Sequence, residues 1–280
     1  RICLITLFDC RHSSSPFFSC TLPLARSRTK TMTENEKYLF DLQGYLAVEE
    51  ALSSAELTTL NSLVDEHIAS DCAADMRTHR FGGLLDWGEP LRDLIDNDRI
   101  SPYLALIVGA KFRLDHVYLD VIRSGTSPIG ANLHGGAHPF NPSQYYHYRN
   151  DHMHNGLTVV AYSLTDVGPQ DGGTGCVPGS HKSNVSFPGE WRNLDEGLQP
   201  CVRRVTGPAG TAVIFTEALT HGALPWTGTG ERRTVFFKYS PHPVSWAAGY
   251  FDAGSYQDLN QRQREILEPP NARYGGRPQP

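Results

Sequence analysis

The 280-residue chain lacks a cysteine pattern, a long apolar run and an excess of positive charge. Its six cysteines, Cys3, Cys10, Cys20, Cys72, Cys176 and Cys201, fall at neither metal-site nor disulfide-framework spacing, which points to a reducing compartment. The apolar stretch from Ile2 to Phe8 is too short to span a bilayer, so no membrane partner is expected. Outside residues 1–31 the chain holds 20 basic and 29 acidic side chains, a balance unsuited to a nucleic-acid-binding body. No internal repeat is visible, which argues against a repeat architecture.

Residues 1–31 carry Arg1, Arg11, Arg26, Arg28 and Lys30 against one acid, Asp9, and are rich in serine. That is the make-up of a transit peptide. The chain does not begin with Met, and Met32 opens the first segment with a foldable pattern, so read-through of an untranslated region is an equal reading. The expected organisation is therefore a leader over 1–31, one domain over 32–268 and a surface tail over 269–280 that frays at its end. The location is cytoplasmic, or organellar if the leader is a genuine transit peptide.

Phe40 to Val48 reads as a helix end, a glycine turn and a strand, and Ser53 or Ser54 caps a helix carrying Leu57, Leu60, Leu63 and Val64 at helical spacing. Residues 71–90 read as a loop, followed by short helices from Pro90 to Ile95 and from Ser101 to Val108. Beyond Lys111 the period becomes two. Leu114, His116, Tyr118, Asp120 and Ile122 fall on one strand face, with Val117, Leu119 and Val121 on the other. Further strands are predicted over Leu157–Leu164, Gly175–Pro178, Thr211–Phe215 and Thr234–Tyr239. Helices followed by many strands predict a mainly β fold, an antiparallel barrel or jelly roll braced by helices.

The candidate chemistry centres on His134-Gly135-Gly136 and His221. Two histidines and one carboxylate hold iron(II) in mononuclear oxygenases, with the carboxylate two residues after the first histidine. Here that position is Gly136, which offers no ligand.

The segment Leu157 to Asp166, followed by Asp171-Gly-Gly-Thr-Gly-Cys-Val-Pro-Gly-Ser-His181-Lys182, resembles the phytanoyl-CoA dioxygenase family. These are iron(II)- and 2-oxoglutarate-dependent oxygenases with a double-stranded β-helix, a cupin-like jelly-roll barrel. The resemblance runs from about Gly44 to Tyr239 and is strengthened by the spacing of the Pro-Gly-Ser-His loop from His134 and His221. It implies that His134 and His221 bind iron(II) and that Arg232 grips the far carboxylate of 2-oxoglutarate, with Arg233, which would point to the opposite face, as the fallback. It also implies that Tyr118 is a core residue or donates its hydroxyl to that cosubstrate. The substrate is expected to be a small molecule, and the oligomeric state is open.

Gly136 departs from the family's H-x-D, and three readings stay open. The third ligand is a carboxylate from elsewhere, Asp120 or Asp151; or the position is filled by water or an anion, as chloride fills it in the related iron-dependent halogenases; or the chain is a metal-free binding protein of the same fold. Tyr145 to His154 packs His147, Asp151, His152 and His154 together, a polar lid in which His152 and His154 share a face, with a separate zinc site as the lesser reading. Trp226 is expected to pack the barrel rim or to line the pocket mouth. Arg77, Arg80, Lys182, Arg203 and Arg204 are read as solvated surface.

Overall fold

A computed structural model describes residues 31–125 and 127–272; residues 1–30 of the expected leader and the fraying end of the tail lie outside the described residues. Helix α1 (Glu34–Gln43) starts at Thr33, whose hydroxyl accepts from the Glu36 amide while the Glu36 carboxylate accepts from the Thr33 amide. Gly44, at φ +85°, ends it and turns the chain into β1 (Tyr45–Val48). The same reciprocal cap, from Ser53 and Glu56, opens α2 (Ser54–Asp71).

The segment expected as a loop contains β2 (Thr78–Phe81), an edge strand too short to show alternation. Helices α3 (Glu89–Arg92) and α4 (Ser101–Ile107) precede the long β3 (Phe112–Gly125). Strands β4 (Tyr146–Arg149), β5 (His152–Asn155), β6 (Thr158–Ser163), β7 (Gly173–Cys176) and β8 (Arg203–Val205) follow. Then come β9 (Ala212–Thr216), β10 (His221–Leu224), β11 (Trp226–Pro241) and α5 (Gln261–Ile266). Among the described residues, no helix is long and apolar enough to cross a membrane.

The pairs are antiparallel and form a six-stranded sheet in the order β1-β9-β6-β11-β3-β2, a three-stranded sheet β10-β7-β8 and the hairpin β4-β5. This is the expected jelly roll. One face of the large sheet packs against the helices. Leu114, Val117, Leu119, Val121, Val160, Ile214, Val235 and Phe237 meet Phe40, Leu60, Leu104 and Ile107 there in the main core. The other face, with β10 and β7, encloses the barrel interior, where Val159, Ala161, Cys176, Val213 and Phe215 pack.

The predicted faces of β3 hold with one correction. Lys238 pairs with His116 and the next residue, Tyr239, pairs with Leu114, so Asp115 is an extra residue in β3. This bulge moves Leu114 to the helix-facing core with Val117, while His116, Tyr118 and Asp120 face the barrel interior. Asp115 itself is buried and saturated. It accepts from Arg113 Nη1 at 2.9 Å, His116 Nδ1 at 2.7 Å and the amides of Trp246 and Ala247 at 2.9 and 3.0 Å.

Burial pushes the Asp115 carboxyl up, but the hydrogen bonds from His116 and the two amides outweigh it and hold the pKa at about 2. A carboxyl depressed in the folded state stabilises the fold above its unfolded pKa, and that stabilisation is lost as pH falls through the folded value. We therefore expect urea midpoints to fall between about pH 4 and pH 2, and Asp115→Asn to lose that slope and about 3–5 kcal/mol at neutral pH by leaving Arg113 buried without its partner. A variant with an unchanged midpoint and acid slope would contradict this role.

Candidate metal centre

His134 and His221 are joined through their backbones. Each amide donates to the other's carbonyl at 2.9 Å, an isolated antiparallel bridge that closes the barrel mouth outside the regular strands. The two rings lie side by side with centroids 4.2 Å apart and planes tilted by 57°. Each Nδ1 lies against a backbone carbonyl, His134 on Asn132 O at 2.9 Å and His221 on Leu219 O at 2.7 Å. That fixes Nδ1 as the protonated nitrogen and leaves both Nε2 lone pairs free. Burial lowers the His221 pKa to about 4, so the ring is neutral, as a metal ligand must be.

The carboxylate that joins these histidines is Glu217. It sits on the turn from β9 into β10, four residues before His221. His134, Glu217 and His221 offer ligand atoms all within 4.8 Å of one another, the group able to share a metal among the described residues. Glu217 Oε2 lies 3.9 Å from His221 Nε2, and Oε1 accepts from Lys238 Nζ on the inner face of β11. Burial pushes the Glu217 carboxyl up, but the charge and hydrogen bond of Lys238, with the His221 ring that becomes charged at the low pH where this carboxyl titrates, prevail and hold it at about 2. It is an anion ready to bind a cation, and two imidazole nitrogens with one carboxylate oxygen are the donor set that suits iron(II).

Neither expected carboxylate occupies that place. Asp120 lines the same cavity but accepts a bidentate pair from Arg80, Nε at 2.7 Å and Nη2 at 2.8 Å. Arg80 is exposed, as expected, but its guanidinium also borders the cavity. Asp151 is exposed at the β4-β5 turn, at φ +60°.

Gly135 and Gly136 have a backbone reason to be glycine. At Gly135, φ +76°, a Cβ would lie 2.5 Å from Leu219 O and 2.7 Å from Glu217 O, so this residue lets the His134 segment press onto the turn bearing Glu217. Gly136 is at φ +109°, and its Cβ would meet Thr220 Oγ1 at 3.1 Å.

The Pro-Gly-Ser-His loop braces the same turn. Ser180 Oγ accepts from the Thr220 amide at 2.7 Å, and the Val177 amide donates to Thr220 O at 2.8 Å. His181 is fully buried and donates through Nε2 to Asp41 O at 3.0 Å, a structural role away from the metal group.

The cavity volume is about 370 Å³, and it holds His134, Glu217, His221, Tyr118, Asp120 and Arg232 together. Arg232 is 5 % exposed; its Nη2 donates to Thr174 Oγ1 at 3.0 Å, while Nε has no partner among the described residues. Thr234 Oγ1, two residues along β11, is also buried without a partner. A buried guanidinium with an unused donor fits a carboxylate, and Thr234 falls on the same face of the strand. Arg233 points the other way, to Asn61 and Asp65 on α2. Tyr118 stacks on Phe236 at 4.8 Å, under the Arg80 guanidinium at 4.0 Å.

The expected lid differs. His152 and His154 share the exposed face of β5 and do not line the cavity, which from that region takes only Gln144. Trp226 is 2 % exposed and packs on Ile122 and Val167 at the rim, so it too is not a pocket residue; Trp246, stacked on His116 at 4.9 Å, holds the mouth instead. Glu217 and Lys238 went unassigned in the sequence. Their one signal was an acid closing the apolar run that leads into His221.

The chain is 22 % identical over 193 residues to a probable alpha-ketoglutarate-dependent hypophosphite dioxygenase of Stutzerimonas stutzeri, a match spanning 65 % of this chain and 63 % of that protein. HygX of Streptomyces hygroscopicus, solved with nickel and 2-oxoglutarate, superposes with a TM-score of 0.67 at 24 % identity, covering 77 % of this chain and 89 % of HygX. The non-heme alpha ketoglutarate dependent carbocyclase SnoK superposes at 0.57 with 18 % identity, over 82 % and 92 % of the two chains. The family model for phytanoyl-CoA dioxygenase matches residues 40–234, and the chain belongs to that family.

Proposed function

We propose that the protein is an iron(II)- and 2-oxoglutarate-dependent oxygenase of a small organic substrate, with His134, His221 and Glu217 as its metal ligands. One observation carries the reading: the histidine-carboxylate group and the buried, under-bonded Arg232 line a single cavity. Iron with 2-oxoglutarate supplies the oxidative decarboxylation that activates dioxygen against a substrate C–H bond. The chain's part is to bind and orient. Arg232 Nε and Thr234 Oγ1 receive the far carboxylate of 2-oxoglutarate, and the neutral histidines and anionic Glu217 hold the metal.

Substrate enters past Trp246, His116 and Gln144, which border the cavity away from Arg232. HygX has been solved with hygromycin B bound, which fits a small-molecule substrate for this chain as well. Glu217 weighs against the halide reading, because a carboxylate already stands with the two histidines, and the intact three-donor group weighs against a metal-free binding protein.

Adding iron(II) and 2-oxoglutarate to the protein without oxygen should give the weak visible charge-transfer band of the chelate; tight 2-oxoglutarate retention with no band would favour the binding protein. Arg232→Met is expected to weaken 2-oxoglutarate binding about 10- to 100-fold in calorimetric titrations, the loss of one or two charge-assisted hydrogen bonds. Glu217→Gln should weaken iron(II) binding at least about tenfold while Asp151→Asn leaves it unchanged; the reverse order would return the ligand role to Asp151.

Gly136→Asp tests the vacant-slot view. At φ +109° it should cost about 1–3 kcal/mol of stability without tightening metal binding. Tighter binding in that variant would mean that position 136 can act as a ligand site.

A further inference from the structure

Lys238 is an unexpected residue beside a metal site. Its side chain is 12 % exposed, comes from the cavity face of β11 and lines the cavity, where it forms a salt bridge with Glu217. A second cation placed near a dication is unfavourable by Coulomb repulsion, so a role in charge attraction for the metal is excluded. Nor is the lysine there to hold the turn in place, since the Ser180 hydroxyl and the Val177 amide already tie Thr220 down.

What Lys238 does is divide the two oxygens of Glu217. Oε1 is taken by the ammonium, and Oε2 is left on the histidine side, 3.9 Å from His221 Nε2. Glutamate has one more rotatable bond than aspartate, and a carboxylate can bind a metal through one oxygen or two. In a six-coordinate site, two histidines and one carboxylate oxygen leave about three positions, enough for a bidentate 2-oxo acid and dioxygen; a second carboxylate oxygen would leave about two.

We propose that Lys238 is a positioning residue that restricts Glu217 to one metal-bound oxygen and so keeps a coordination position open. This rests on the reading of His134, His221 and Glu217 as the metal ligands. Tyr118 supports the arrangement from the other side, its ring centroid 5.4 Å from Lys238 Nζ, so the ammonium is held against an aromatic face and the carboxylate together.

The test uses Mn(II) as a redox-silent probe on the full chain. Free Mn(II), read by its electron paramagnetic resonance signal, gives affinity, and oxygen-17 relaxation of water counts the waters on bound Mn(II). The unaltered protein and Lys238→Arg should hold about three waters, and Lys238→Met about two, with Mn(II) affinity equal or higher. Binding of 2-oxoglutarate to the Mn(II) form should weaken at least about tenfold in Lys238→Met.

An unchanged water count in Lys238→Met overturns the proposal, even if 2-oxoglutarate binding falls, because that outcome would mean a direct contact between lysine and cosubstrate. Loss of Mn(II) from a folded Lys238→Met protein overturns it as well. Should Lys238→Met not fold, Lys238→Leu, which likewise offers Oε1 no donor, carries the same comparison. Failure of the underlying reading looks different: Glu217→Gln would then bind Mn(II) as tightly as the unaltered protein.

Discussion

The paired backbone hydrogen bonds between His134 and His221 are the constraint on which the rest of the site depends. They join a loop to the first residue of β10 where no regular sheet does so, and they set two imidazoles side by side, 4.2 Å apart between centroids. Everything else in the centre is arranged around that bridge. Gly135 allows the close approach, the Pro-Gly-Ser-His loop holds the partner turn, and the turn delivers Glu217 to the same point.

This explains how a site without the family's carboxylate at position 136 still gathers three donors. With both Gly135 and Gly136 at positive φ, the chain after His134 holds position 136 in a conformation that suits glycine and not aspartate. The carboxylate comes instead from the strand end that carries the second histidine. Moving the charge there also required a counter-charge in the unloaded protein, and Lys238 supplies it: a buried carboxylate without a partner would carry a desolvation penalty of several kcal/mol. The cavity thus contains two ion pairs, Glu217 with Lys238 and Asp120 with Arg80, and one guanidinium, Arg232, whose Nε is left without a bond.

Much of the fold could be read from the chain, and the reasons are local. Alternation in β3, the capping of α2 by Ser53 and the apolar runs of β6 and β9 are patterns of period two or of helix termini, and these survive folding. The edge strand β2 and the bulge at Asp115 could not be read. The first is four residues of mixed character; the second depends on the register of β11, more than a hundred residues away. His134, His221 and Arg232 could be named because their spacing carries a resemblance, whereas Glu217 could not. Its role follows from a turn geometry and from a lysine that only the sheet brings near, and the nearby aspartates that looked eligible are paired or exposed.

The central claim is that Glu217 takes the place of the missing carboxylate. The most direct measurement is a crystal structure of the protein grown without oxygen in iron(II) and 2-oxoglutarate. The account predicts iron bonded to Nε2 of His134, Nε2 of His221 and one oxygen of Glu217, with the far carboxylate of 2-oxoglutarate on Arg232. Iron held by the two histidines with chloride or Asp120 in the third position, and Glu217 still bound only to Lys238, would contradict it.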